Sequence, residues 1–121
     1  MPPETAKLLY DMQHAAGRIE RFVGAKTFDD FLSDEMLRSA VERQFEIIGE
    51  AMTRLIKRDP AVAQTITDFR KISGFRNALI HGYDSIDDQT SWGIITRKLP
   101  TLRIELEQLL GEEPPQASNT S

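Results

Sequence analysis

SDEMLRSAVERQFEIIGEAMTRLIKR, residues 33–58, is the stretch whose reading decides the fold. Leu37, Val41, Gln44, Ile48, Ala51 and Leu55 recur at steps of four and three, which places them on one stripe of an α-helix. Ser33 or Asp34 is positioned to cap its first turn, and the pattern runs to about Arg58. Gly49 sits inside the helix, where it costs about 1 kcal/mol relative to alanine. A glycine in such a place signals close approach of another backbone. Glu50 follows, either as an exposed helix charge or as a carboxylate orienting Arg76 or His81 from a neighbouring helix.

Toward the N-terminus, residues 5–23 repeat the pattern with Leu8, Met12, Ala15, Ile19 and Phe22, Thr5 as the expected N-cap and Gly24 as the stop. Tyr10, His14 and Arg18 form a second stripe, read either as a solvated face or as part of a protein or RNA contact. Thr27 to Leu32 predicts a short helical turn, with Asp30 completing a capping box on Thr27. Toward the C-terminus, Asp59-Pro60 ends the long helix and restarts a short one over 61–66. Thr67 or Asp68 caps the next, with Phe69, Ile72, Phe75 and Leu79 facing inward and Gly74 marking a second close contact. Cap-forming residues at 84–88 precede Trp92, Ile95, Leu99, Leu102, Leu106 and Leu109. That stripe persists across Pro100, which predicts one helix kinked there.

No strand-like alternation or internal repeat occurs. The expected architecture is all-α: an up-and-down bundle of four main helices with short helical turns, over residues 1–110. EEPPQASNTS has almost nothing apolar to bury, so residues 111–121 are expected to form a disordered tail.

With 121 residues, 40% hydrophobic and 28% charged, the composition fits one soluble domain. Absence of cysteine excludes disulfides and thiolate metal ligation. No membrane-length apolar run and no signal-peptide order are present, so a cytoplasmic protein is expected. A net charge of −4 argues against a general nucleic-acid coat but not against a local basic cleft. The two histidines, His14 and His81, have no metal-ligand spacing, and no cofactor motif is found.

The chemically dense stretch is Arg76-Asn77-Ala78-Leu79-Ile80-His81-Gly82-Tyr83. On a regular helix Arg76 and His81 lie about 140° apart, whereas Asn77 and His81 are stacked neighbours. Asn77 is therefore placed to support the imidazole tautomer. A guanidinium matches phosphate oxygens bidentately, and an imidazole titrating near neutrality can take a proton from a ribose 2′-OH. The plain alternative is a helix-terminal histidine favourably placed against the helix dipole, with a surface arginine nearby. A two-fold dimer would unite two Arg-His sets, one histidine acting as base and the other as acid. Arg70, Lys71, Arg97 and Lys98 are candidate RNA-backbone contacts, and Lys57 and Arg58 either join them or are solvated helix-end charges.

Several marks in register carry a resemblance. Arg76-Asn77-x-x-x-His81-Gly82-Tyr83 resembles the R-x4–6-H-x-Y signature of the HepT-like toxins of the HEPN superfamily. Arg43-x-x-x-Ile47-Ile48-Gly49-Glu50-Ala51 looks like that family's second-helix signature. Ile86-Asp87, Trp92 and Leu99-Pro100-x-Leu102 look like its last helix. The resemblance implies a metal-independent endoribonuclease with Arg76 and His81 catalytic at a homodimer cleft, acting on tRNA or mRNA. It also implies a minimal nucleotidyltransferase as antitoxin, with Tyr83 as an acceptor for AMP. One departure is Ile66-Thr67-Asp68-Phe69, where family members often carry Pro-Trp. From a different class, the same Arg76 would suit a non-catalytic subunit presenting a nucleotide to the nucleotidyltransferase.

Overall fold

The computed structural model describes residues 1–74 and 87–111. Helix α1 spans Pro3–Val23, α2 Phe28–Ser33, α3 Glu35–Arg58 and α4 Pro60–Ala63. Residues 69–74 are helical (α5). Helix α6, Asp88–Gly93, runs through a π-type turn over Ile94–Lys98 into α7, Leu99–Gly111. The described residues contain no strand, and the architecture is the expected all-α bundle.

Every residue of the α3 stripe, from Leu37 to Leu55, is buried, joined by Phe45 and Met52. The Asp34 carboxylate accepts from the Leu37 N–H at 3.0 Å, so Asp34 rather than Ser33 is the cap. Helix α1 packs chiefly against α3 and then against α7. Its buried apolar residues are Met12, Ala15 and Ile19 of the expected stripe together with Leu9, Ala16 and Val23, while Leu8 and Phe22 are only partly covered. The expected face is thus kept at its centre and displaced by one position at its two ends, Leu9 for Leu8 and Val23 for Phe22. Gly24 ends α1 at φ 52°, a backbone conformation glycine adopts without a Cβ penalty.

Thr5 is not the cap of α1. Pro3 occupies the first turn and starts the helix earlier, leaving Thr5 buried, with its hydroxyl donating to the Asp59 carboxylate at 3.0 Å. Asp59 also caps α4, accepting from the Val62 N–H at 3.3 Å. Helix α4 ends at Ala63, short of the expected 66, and hydrogen-bonded turns bring Ile66 into the core. Thr27 and Asp30 form the expected capping box on α2, whose Phe31 packs 5.4 Å from the Trp92 ring and joins α2 to α6.

Helix α6 is capped by Asp87, which accepts from the Thr90 N–H at 2.7 Å. The helical run is continuous across Pro100, as the stripe Ile95, Leu99, Leu102 and Leu106 requires, and all four are buried. The disturbance expected at Pro100 takes the form of the π-type turn just ahead of it, with the Leu99 N–H donating to the Ile94 carbonyl. Widening there relieves the clash a proline ring makes with the carbonyl four residues back. Helix α7 is fastened across α1 by Arg103, which donates to Gln13 at 3.2 Å and to Glu20 at 2.7 Å. Gly17 opens the room: a Cβ there would stand 3.3 Å from the Arg103 guanidinium. Helix α7 continues through Gly111, and residues 112–121 lie outside the described residues.

Candidate functional site

The segment carrying Arg76, Asn77, His81 and Tyr83 lies outside the described residues, as do Phe75 and Leu79 of the expected inward stripe. Its two flanks are described. The last described residue before it is Gly74, still helical in α5, and the first after it is Asp87, the cap of α6. Ile72 and Asp87 both line one groove of about 720 Å³. Described residues on both sides of the candidate motif therefore line this one groove.

The groove floor is apolar, from Phe45 and Ile48 of α3, Ile94 of the π-type turn and Leu102 of α7. Its rim is charged. Lys71 of α5 and Arg97 and Lys98 of the π-type turn converge on it, so three of the four basic residues singled out in the sequence share one groove. The Lys98 ammonium pairs with Asp68 at 3.1 Å. Lys71 and Arg97 form no ion pair among the described residues. Gly93 accommodates the Arg97 guanidinium, which would stand 3.3 Å from a Cβ at that position. Asp87 also faces the groove, and the Thr90 N–H holds its carboxyl below the ordinary carboxylate value, so it is ionised at neutral pH.

Asp68 and Thr67 shape the entry to α5 in an unexpected way. Neither caps it through its side chain: the Thr67 hydroxyl and N–H both donate to the Glu105 carboxylate, at 2.6 Å and 2.9 Å. The Asp68 carboxylate serves Lys98, and its own backbone sits at φ 61°, a left-handed conformation that aspartate tolerates better than most residues. Its carbonyl accepts from the Ile72 N–H at 2.9 Å, opening α5.

Arg70 does not join the other three. It lies over the Phe69 ring at 5.1 Å and lines a separate pocket of about 250 Å³ with Lys57, Thr53, Ile56 and Ser73. Arg58 is drawn away from both by its ion pair with Glu4 at 2.9 Å. Glu50, expected either as a surface charge or as an orienting carboxylate, is exposed on α3 and accepts from Arg54 at 2.9 Å. In the second stripe of α1, Tyr10 and His14 are exposed and their rings lie 5.9 Å apart. Arg18 instead turns inward, donating to the buried Gln44 at 3.3 Å. The hydroxyls of Thr53 and Ser73 are polar groups that the sequence does not single out. Their available signal is the pairing of Thr53 with Lys57 at i, i+4 and of Arg70 with Ser73 at i, i+3, which gives two helices matching polar faces.

Among the described residues no helix is long and apolar enough to cross a membrane, and no group of three or more metal-ligating side chains is gathered. No solved structure matches the chain. Named relatives do. The protein named "Putative RNase MJ1380" of Methanocaldococcus jannaschii is 34% identical over 99 residues, covering 82% of this chain and 90% of its own. "Probable ribonuclease HepT" of Thermococcus cleftensis is 34% identical over 101 residues, covering 84% and 91%. "Putative RNase TTE0752" of Caldanaerobacter subterraneus subsp. tengcongensis is 32% identical over 102 residues, covering 84% and 89%. A family model described as "Ribonuclease HepT-like" matches residues 12–109, a span that takes in α3, the groove and the whole Arg76–Tyr83 stretch. The chain belongs to the ribonuclease HepT-like family.

Proposed function

We propose that this protein is the toxin of a toxin–antitoxin module, a metal-independent endoribonuclease that works as a homodimer. The observation that carries the reading is the family match over residues 12–109, which encloses the Arg-x4-His-x-Tyr signature. The groove lined by Ile72 and Asp87 supports it, since Lys71 and Arg97 bring positive charge there to a chain whose net charge is −4. In the proposed step His81 takes the proton of a ribose 2′-OH, and the 2′ oxygen forms a bond to the adjacent phosphorus. The bond from phosphorus to the 5′ oxygen breaks, and the partner's His81 returns a proton to that oxygen. Arg76 stabilises the charge gathering on the phosphoryl oxygens. The products are a 2′,3′-cyclic phosphate and a 5′-hydroxyl. Asn77 supports the imidazole, and Glu50 is a supporting carboxylate on the neighbouring helix.

Tyr83 stands two positions beyond His81 in the sequence. AMP attached there by a nucleotidyltransferase antitoxin would add a phosphate that competes with RNA for Arg76, silencing the nuclease without unfolding it. The test is incubation of purified protein with total RNA in EDTA. Cleavage with cyclic-phosphate ends is expected, and His81→Ala should reduce it by at least about 100-fold. Cleavage that appears only on adding metal would overturn the mechanism. RNA left intact under both conditions, by a protein that binds nucleotide, would favour a non-catalytic subunit.

A further inference from the structure

The small pocket between α3 and α5 has a composition unlike the surrounding surface. Thr53, Ile56 and Lys57 come from one helix and Arg70 and Ser73 from the other, and no carboxylate of the described residues lines it. Arg54 and Arg58, on either side of Lys57 in α3, are paired with Glu50 and Glu4, and Lys71 beside Arg70 faces the larger groove instead. Lys57 and Arg70 are exposed and form no ion pair among the described residues. The Arg70 guanidinium is steadied over the Phe69 ring, which limits the entropy lost when it binds. Between the cations, the Thr53 and Ser73 hydroxyls lie 2.6 Å apart. Thr53 directs its own proton to the Gly49 carbonyl at 2.9 Å, so Ser73 donates within the pair. Rotation about the Ser73 Cβ–Oγ bond redirects that same proton from Thr53 to a ligand.

Two such cations and a rotatable hydroxyl around a cavity of about 250 Å³ suit a tetrahedral oxyanion. The geometry points to a phosphate-binding subsite, formed by Lys57, Arg70 and Ser73, that holds a backbone phosphate of single-stranded RNA other than the one cleaved. This rests on the ribonuclease reading above. Ser73 precedes Arg76 by three residues, so a strand bound here is held next to the reacting stretch. In a chain of net charge −4, general attraction does not hold a polyanion, and local sites of this kind must.

The test measures binding, not cleavage, with a short single-stranded 2′-deoxy oligonucleotide that lacks the attacking hydroxyl. Affinity of the full chain is followed between roughly 50 and 200 mM salt. The double variant Lys57→Gln/Arg70→Gln should bind about tenfold more weakly, with the salt slope reduced by about 0.7, the value for one fewer phosphate neutralised on a single strand. Ser73→Ala should weaken binding about threefold and leave that slope unchanged. Lys7→Gln removes one charge from α1 and should change neither quantity. An unchanged slope in the double variant, or an equal loss in Lys7→Gln, would overturn the subsite. A wild-type protein that binds with the site-dependent slope but cuts no RNA would sink the ribonuclease reading and leave the phosphate site standing.

Discussion

Thr5 and Asp59 show how a single polar pair joins distant parts of the chain. Thr5 is 1% exposed, and its partner Asp59 simultaneously caps α4. Thr5→Val removes one hydrogen bond and leaves Asp59 its backbone partner, so a loss of about 1 kcal/mol is expected. Asp59→Ala removes the cap and strands a buried hydroxyl as well, so about 2–3 kcal/mol is expected. Urea unfolding of both variants and the double mutant checks the order; a Thr5→Val loss exceeding that of Asp59→Ala would contradict the roles assigned. The sequence marks Thr5 as a polar residue near a helix start but not its partner, 54 positions away. Its expected capping role fails for a local reason: Pro3 is itself a strong first-turn residue and moves the helix start ahead of Thr5.

At the scale of the element, caps and stripes are the most legible features, because each depends on residues within a turn of one another. The Thr27–Asp30 box and the α3 stripe follow from local spacing, and the α3 cap is narrowed to Ser33 or Asp34, between which the structure selects Asp34. The π-type turn at Ile94–Lys98 does not, since Pro100 announces a disturbance but not its form. The capping carboxylates also make stability depend on pH. Asp30 is held below its ordinary value of 3.8 by the Thr27 N–H, and Asp87 by the Thr90 N–H. A lowered folded-state pKa means the unfolded chain binds protons first on acidification. The stabilisation is therefore full above the unfolded value and disappears as pH falls through the folded one. Asp30→Asn and Asp87→Asn keep acceptors at both caps but cannot titrate. Thermal unfolding of these variants between about pH 5 and pH 2 should show a shallower acid decline than wild type, with little change near neutrality. An acid decline as steep as the wild type's would remove both caps from the account.

Over the whole molecule the basic residues divide between two surfaces, and that division is not readable from the sequence. The sequence names Arg70, Lys71, Arg97 and Lys98 but cannot say which share a surface. The fold sends Arg70 to one side of α5 and the other three to the groove on the other side, because that depends on how α3, α5 and α7 meet. The Arg76–Tyr83 stretch is singled out by its resemblance alone, and it lies outside the described residues. Ion pairs such as Lys7–Asp11, Arg54–Glu50 and Arg58–Glu4 are formed by exposed side chains, so each contributes at most about 1 kcal/mol, and less in salt. Stability rests instead on apolar side chains such as Leu9, Met12, Leu55 and Leu106, all fully buried. Salt should therefore act on binding and not on folding. Raising it from roughly 50 to 500 mM should move the unfolding temperature by less than about 2 °C, since screening the surface pairs is offset by screening the net repulsion. Over the same range oligonucleotide affinity should fall by orders of magnitude. If the unfolding temperature fell by more than about 5 °C, the surface pairs would be structural supports, and the cations around α5 could no longer be distinguished from the rest by their lack of a folding role.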